Sequence, residues 1–157
     1  MFSSAFRGAR AVAAVAVALG LAPTGAAAQA PAGQKSLYDR LGGVYPIAVV
    51  VDEFINQLLV NEVLNANPAI AAARRRVPAP GLKFQVSALV CQVTGGPCTY
   101  GGRGMKQAHA HLNISDREWQ EMSRVFKGVL DQFKVPAAEQ QELIAIVEST
   151  KADIVTR

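Results

Sequence analysis

GGPCTYGGRGMKQAHAHL, residues 95–112, decides how this chain folds. Its first ten residues hold five glycines, which permit close backbone approach and φ/ψ values closed to other residues, so no regular element fits there. The glycines deliver Met105 to Leu112, a short helix at most, which carries both histidines of the chain, His109 and His111. Two positions apart on a helix, their side chains diverge by about 200°, so only one faces a core. His109 lies four residues after Met105 and three before Leu112, on the apolar side, and His111 points outward. Spacing alone leaves His109 open as a hydrogen-bonded core histidine or as a ligand.

Outward from this stretch the apolar spacing is helical, with no clean period-two alternation and no Asn-Gly or Asp-Gly hairpin signal. Ser36 can cap a short helix bearing Leu37, Tyr38 and Leu41, ended by Gly42-Gly43. Ile47, Val50, Val51, Phe54 and Leu58 share one face of the next helix. Residues 61–81, rich in Asn, Pro and Ala, read as an irregular connection with one helical turn near Ala69–Ala73. Leu82, Val86, Leu89, Val90 and Val93 form the following stripe, stopped by Thr94-Gly95-Gly96-Pro97. Ser115 and Glu118 make a capping box for a helix bearing Trp119, Met122, Phe126, Val129, Leu130 and Phe133. Pro136 opens the last helix, with Leu143, Val147, Thr150 and Ile154 inward. The expectation is an all-α chain of about five helices without repeats.

The 157 residues, 50% hydrophobic and 18% charged, fit one domain and exclude collagen, coiled coil and wholesale disorder. Residues 1–28 stand apart. Arg7 and Arg10 precede a 12-residue apolar run, Ala11 to Ala22, and Ala26-Ala27-Ala28 offers a cleavage site, the layout of a secretory signal peptide. That run is shorter than the roughly 20 residues a membrane span needs. The expectation is a secreted product, periplasmic in a cell with two membranes, with no stable anchor after cleavage. Residues 29–35 then form a flexible leader and 36–157 the folded domain. The first 28 residues hold two of the 16 basic groups and none of the 12 acidic ones, leaving +2 beyond them. So small a charge does not argue for nucleic acid or an anionic membrane. Two cysteines and two histidines exclude a four-cysteine zinc site, and no CxxCH allows covalent haem of the c type. No nucleophile elbow, phosphate loop, HExxH, flavin or nicotinamide motif occurs. Scattered carboxylates and the run Arg74–Arg76 read as solvated charges.

A lone inward histidine completes one kind of metal site: haem supplies four nitrogens and the protein need add one axial imidazole. With SLYDRLGG (36–43), VVVDEF (49–54), LK (82–83), GGPCTYGG (95–102), MKQAHAHLNI (105–114) and two closing helices, the chain resembles the truncated, or two-over-two, haemoglobins, above all their first group, over about residues 36–155. The resemblance implies a shortened globin fold, a two-over-two helical sandwich around haem b, with His109 as the proximal iron ligand. It places Phe54, Ile55, Leu82, Val86, Val90, Tyr100 and Met105 around the cofactor, and a diatomic gas (O2, NO or CO) as ligand. NO dioxygenase or haem redox activity would need an electron donor that the chain does not identify.

The opposite side departs from the family. The frequent Phe-Tyr pair of the second helix is Phe54-Ile55, a common glutamine is replaced by Val86, and Asn67-Pro68 stands about where a phenylalanine is usual. The expectation is an apolar ligand pocket walled by Ile55, Leu82 and Val86, holding O2 briefly. Lys83 or Gln85 would reach in if the helix is rotated. The missing phenylalanine and long connection keep a second reading open: a helical interaction module on a globin scaffold without firm haem binding. The retained MKQAH weighs against it. Cys91 and Cys98 flank the Gly-Gly-Pro turn, and an even count with an export signal favours a disulfide between them.

Overall fold

In the computed structural model residues 35–156 are described, and helices account for nearly all their order. They are α1 (Leu37–Arg40), α2 (Val44–Val60), α3 (Glu62–Asn65), α4 (Pro68–Arg76), α5 (Ala79–Val93), α6 (Met105–His109), α7 (Asp116–Gln132), α8 (Ala137–Glu148) and α9 (Lys151–Ile154). The expected signal peptide and most of the leader lie outside the described residues. No helix among the described residues is long and apolar enough to cross a membrane.

Local chemistry explains the boundaries. Ser36 caps α1 reciprocally with Asp39, and Gly42 and Gly43, at φ of 87° and 89°, turn the chain sharply into α2. Ser115 and Glu118 form the capping box of α7, with Ser115 N–H donating to Glu118 Oε2 at 2.7 Å.

The connection expected to be irregular, 61–81, is instead largely helical. Asn61 Oδ1 accepts from Leu64 N–H at 3.0 Å and so caps α3, and Asn67 Oδ1 accepts from Ala69 N–H at 2.9 Å and caps α4. Pro68 sits in the first turn of α4, where its missing N–H is no loss, and Arg74, Arg75 and Arg76 complement the negative end of that helix. The Asn and Pro that look like loop formers are capping residues. The single closing helix also divides: α8 stops at Glu148, and Thr150 precedes α9 with its hydroxyl donating to Val147 O at 2.7 Å.

α2 packs most extensively on α5 and next on α7, α7 packs on α8, and α1 on α8. Ile47, Val51 and Ile55 form the core of the α2–α5 pair, with Leu82, Val86 and Val90 against them. Leu37, Leu130 and Leu143 join α1, α7 and α8. Each such buried aliphatic side chain contributes about 1.5–3 kcal/mol. Phe54 and Phe126 meet edge to face, centroids 5.2 Å apart, linking α2 to α7. Ile114, Trp119 and Ile154 make a third cluster with Met105 and Leu112. Asn61 Nδ2 donates to Glu121 Oε1 at 2.6 Å, tying the α3 cap to α7. The Arg124 guanidinium and that Asn61 amide hold the Glu121 carboxyl down at about 2.

Candidate functional site

The helices enclose a cavity of about 1500 Å³. Ordinary small-molecule pockets run to about 300–1,000 Å³, so this one suits a large apolar occupant. All eight residues expected around a cofactor line it: Phe54, Ile55, Leu82, Val86, Val90, Tyr100, Met105 and His109. They come from α2, α5, the glycine-rich connection and α6. The reading from sequence missed Leu58 of α2, Met122 and Phe126 of α7 and Val147 of α8 as wall residues. All four stood on the apolar stripes of their helices, which mark burial but not what lies beyond.

His109 is half-buried at the end of α6. Its Nδ1 lies 2.9 Å from Met105 O. A carbonyl only accepts, so Nδ1 carries the hydrogen and donates. That bond fixes the ring orientation and, in the neutral ring, leaves Nε2 as the nitrogen with the free lone pair. Among the described residues no three His, Cys, Asp or Glu side chains gather as a metal site, so any metal here would rely on donors outside the protein for most of its shell. His111 is exposed, as its phase on the helix predicts.

α6 has five residues and is held from outside. Asn67, 4% exposed, donates from Nδ2 to Leu112 O at 2.9 Å and to Asn113 O at 3.4 Å while its Oδ1 caps α4. On the other flank α6 packs against α9, and Thr156 N–H donates to Ile114 O at 2.9 Å. Upstream, Cys91 and Cys98 are joined in a disulfide, Cα atoms 5.7 Å apart, which fastens the end of α5 to the glycine-rich connection. Gly96 cannot carry a side chain here: a Cβ would stand 2.7 Å from both the carbonyl oxygen and the sulfur of Cys91. Tyr100 is tethered twice, its N–H donating to Gln92 Oε1 at 2.6 Å and its hydroxyl to Arg103 O at 2.8 Å.

Ile55, also on the cavity wall, is 4% exposed and packs with Leu82 and Val86. The structure separates the two polar candidates of α5. Lys83 turns away, its Nζ 2.6 Å from Asp52 Oδ1, a pairing that holds the Asp52 carboxyl below its ordinary value. Gln85 lines the cavity. The three arginines on the wall differ in their engagement. Arg40 reaches both carboxylate oxygens of Glu142, at 2.6 and 2.7 Å, and Arg74 donates to Asn65 Oδ1. Arg103 lends its carbonyl to Tyr100. Arg75 and Arg76 are exposed, as a solvated run would be.

The family model of bacterial-like globins matches residues 36–156. The chain belongs to that family. This globin is 26% identical over 121 residues to "Group 1 truncated hemoglobin LI410" of Chlamydomonas moewusii, covering 76% of this chain and 67% of that protein. It is 27% identical over 121 residues to "Group 1 truncated hemoglobin GlbN" of Mycolicibacterium paratuberculosis, covering 77% and 85%. The crystal structure of truncated haemoglobin from Tetrahymena pyriformis superposes with a TM-score of 0.68 over 78% of this chain and all of that one, at 20% identity. The 2/2 haemoglobin of Synechococcus sp. PCC 7002 gives the same score and coverage at 22% identity. The fold is therefore the two-over-two truncated globin fold. Truncated globins generally bind haem and small gas ligands.

Proposed function

We propose that this globin is of the first group and would hold haem b through His109 Nε2, with a diatomic gas (O2, NO or CO) as its ligand. When bound, the haem would supply an iron able to take up O2, CO or NO. The single observation that carries the proposal is the Nδ1–H of His109 resting on Met105 O at the wall of a large, mainly apolar cavity. That donation orients the imidazole before any metal arrives and strengthens it as a donor. Met105, Phe54, Val90, Phe126 and Tyr100 supply apolar faces suited to a flat macrocycle, and Arg74 and Arg103 supply positive charge for its carboxylates.

Ile55 and Val86 line the cavity and, by the family resemblance, take the positions where a tyrosine hydroxyl and a glutamine amide commonly hold a polar ligand. Neither donates a hydrogen bond, so O2 is held more briefly than CO relative to a pocket with a tyrosine. Gas sensing, NO chemistry or haem-linked redox suits such a wall better than long-term oxygen storage. Any redox cycle draws electrons from a separate donor. Residues 1–28 act as an export signal in this reading, giving a periplasmic protein in a double-membraned cell, and N-terminal sequencing of the product in its native host tests that part.

The test of function is titration of the cofactor-free protein with haemin. An intense Soret band saturating at one haem per chain, followed after reduction by distinct CO and O2 spectra, is the expected result. Absence of a stoichiometric endpoint would reject the proposal.

A further inference from the structure

We propose that the end of the cavity remote from His109 binds a single-chain carboxylate of the fatty-acid class. α2 and α7 run antiparallel, with Asn61 on Glu121 and Phe54 on Phe126, so the start of α2 lies beside the end of α7. Arg40 ties the end of α1 to α8 through Glu142. The α1–α2 and α7–α8 turns therefore meet at one end of the molecule, and residues of both line the cavity. His109 belongs to the other end, where α6 packs on α9 and Met105 joins the Trp119 cluster. The proposal uses neither that histidine nor a metal, so it stands or falls apart from the haem reading.

The apolar wall is left open at this end. Tyr45, Val49 and Phe133 are 84%, 55% and 37% exposed, and all three line the cavity. Four more lining residues, Leu41, Val50, Val135 and Ile146, pack on the Leu37–Leu130–Leu143 cluster yet are only half-buried. Apolar side chains gathered at an opening favour an apolar guest over water. The polar residue beside them is Lys134, also on the wall. It follows the cap of α7 with a φ of 53°, a left-handed position where glycine is the usual choice. Its N–H donates to Asp131 O and that of Val135 to Leu130 O, both at 3.0 Å, so the turn holds the lysine at the opening. The carboxylates around it are taken, Asp131 by Lys127 at 2.7 Å and Glu139 and Glu142 by Arg40. Among the described residues Lys134 makes no ion pair and no side-chain hydrogen bond. One unpaired cation at the mouth of an apolar recess matches a guest with one negative charge and an alkyl tail. The tail fills the recess and the carboxylate accepts from the ammonium. A doubly charged phosphate head would leave half its charge unmatched, and a cationic head would be repelled.

The experiment is calorimetric titration of the haem-reconstituted protein with octanoate, decanoate and laurate below their micelle concentrations, and with dodecyltrimethylammonium as a cation of matched tail. The expected result is one carboxylate per chain, an unchanged Soret band, and affinity rising about fourfold per added methylene as the tail is buried. The cation should bind about tenfold more weakly than laurate, because ammonium then faces ammonium. Lys134 is exposed, so K134Q should weaken laurate by about threefold to tenfold, and K134R should retain it. V49E sets a like charge on the rim without touching the core and should weaken laurate by about tenfold or more. Equal affinity for laurate and the cation, or laurate binding unchanged in both K134Q and V49E, would overturn the proposal. Laurate that binds only the haem-free protein and is displaced by haemin would also overturn it, since it would then occupy the cofactor's space. Retention on phosphatidylglycerol vesicles without saturable laurate binding would overturn it in favour of a membrane surface. If the wild type takes up no haem, the haem reading fails, and the same titrations of the cofactor-free chain still decide this one.

Discussion

Asn67 performs two tasks with one side chain, and replacing it with alanine separates this account from one in which α6 is merely an appended turn. Its Oδ1 caps α4 through Ala69 N–H, and its Nδ2 reaches Leu112 O just beyond the His109 helix. Loss of an Asn N-cap costs about 0.5–2 kcal/mol. Taking away the buried donor to Leu112 O costs about 1–3 kcal/mol more. Asn67 is 4% exposed, so water does not readily replace it. The expected loss is about 2–4 kcal/mol, read from urea unfolding of the cofactor-free protein followed by circular dichroism. The variant Asn67→Asp keeps the cap oxygen but replaces the donor by a carboxylate oxygen facing Leu112 O and Asn113 O, so it breaks the link to the α6–α7 junction while sparing the cap. It should fall between wild type and Asn67→Ala in helix content while losing haem to a scavenger globin as fast as the alanine variant. A stability within about 0.5 kcal/mol of wild type for Asn67→Ala, together with unchanged haem loss, would refute the reasoning.

Three further outcomes are expected. The Cys91–Cys98 bond closes a loop of sequence separation 7, for which chain entropy gives about 2.5 kcal/mol, so reduction should lower the urea midpoint accordingly, and thiol titration of the unfolded, unreduced protein should find no free thiol. Gly96→Ala forces a methyl group against Cys91 and Tyr38 and should destabilise by about 1–3 kcal/mol, measurable by thermal melting. Glu121 is lowered from 4.5 to about 2 on folding, so its contribution is complete above the unfolded value and disappears as pH falls through the folded one. Stability should therefore decline between pH 5 and pH 2. Glu121→Gln should flatten that decline, with Asp52 and Asp131, also lowered, supplying the remainder.

The helices with apolar stripes were legible because 3.6-residue periodicity survives in the sequence wherever a face is buried, as on α2, α5 and α7. Periodicity marked buried faces but not which of their residues wall a cavity: Phe54, Ile55, Leu82, Val86 and Val90 were placed by the family resemblance, and Leu58, Met122 and Phe126 were missed as wall residues. His109 stood out by its phase between Met105 and Leu112. Residues 61–81 were not legible, because Asn and Pro mark both loops and helix caps, and only the observed bonds of Asn61 and Asn67 distinguish the two. The roles of Lys83 and Gln85 were equally hidden. Both lie next to the inward stripe of α5, and a rotation of a few tens of degrees, set by Asp52 on another helix, decides which one reaches the cavity. The tie from Asn67 to Leu112 spans 45 residues, and no local pattern announces it.

The central claim is the bond between one imidazole and iron. His109→Gly leaves a gap that free imidazole can fill, so the decisive measurement is the Soret spectrum of that variant with haemin, without and with added imidazole. The account predicts a weak, shifted band without imidazole and recovery toward the wild-type spectrum and stoichiometry when imidazole is added. A variant that binds one haem with the unaltered wild-type spectrum and no response to imidazole would contradict it.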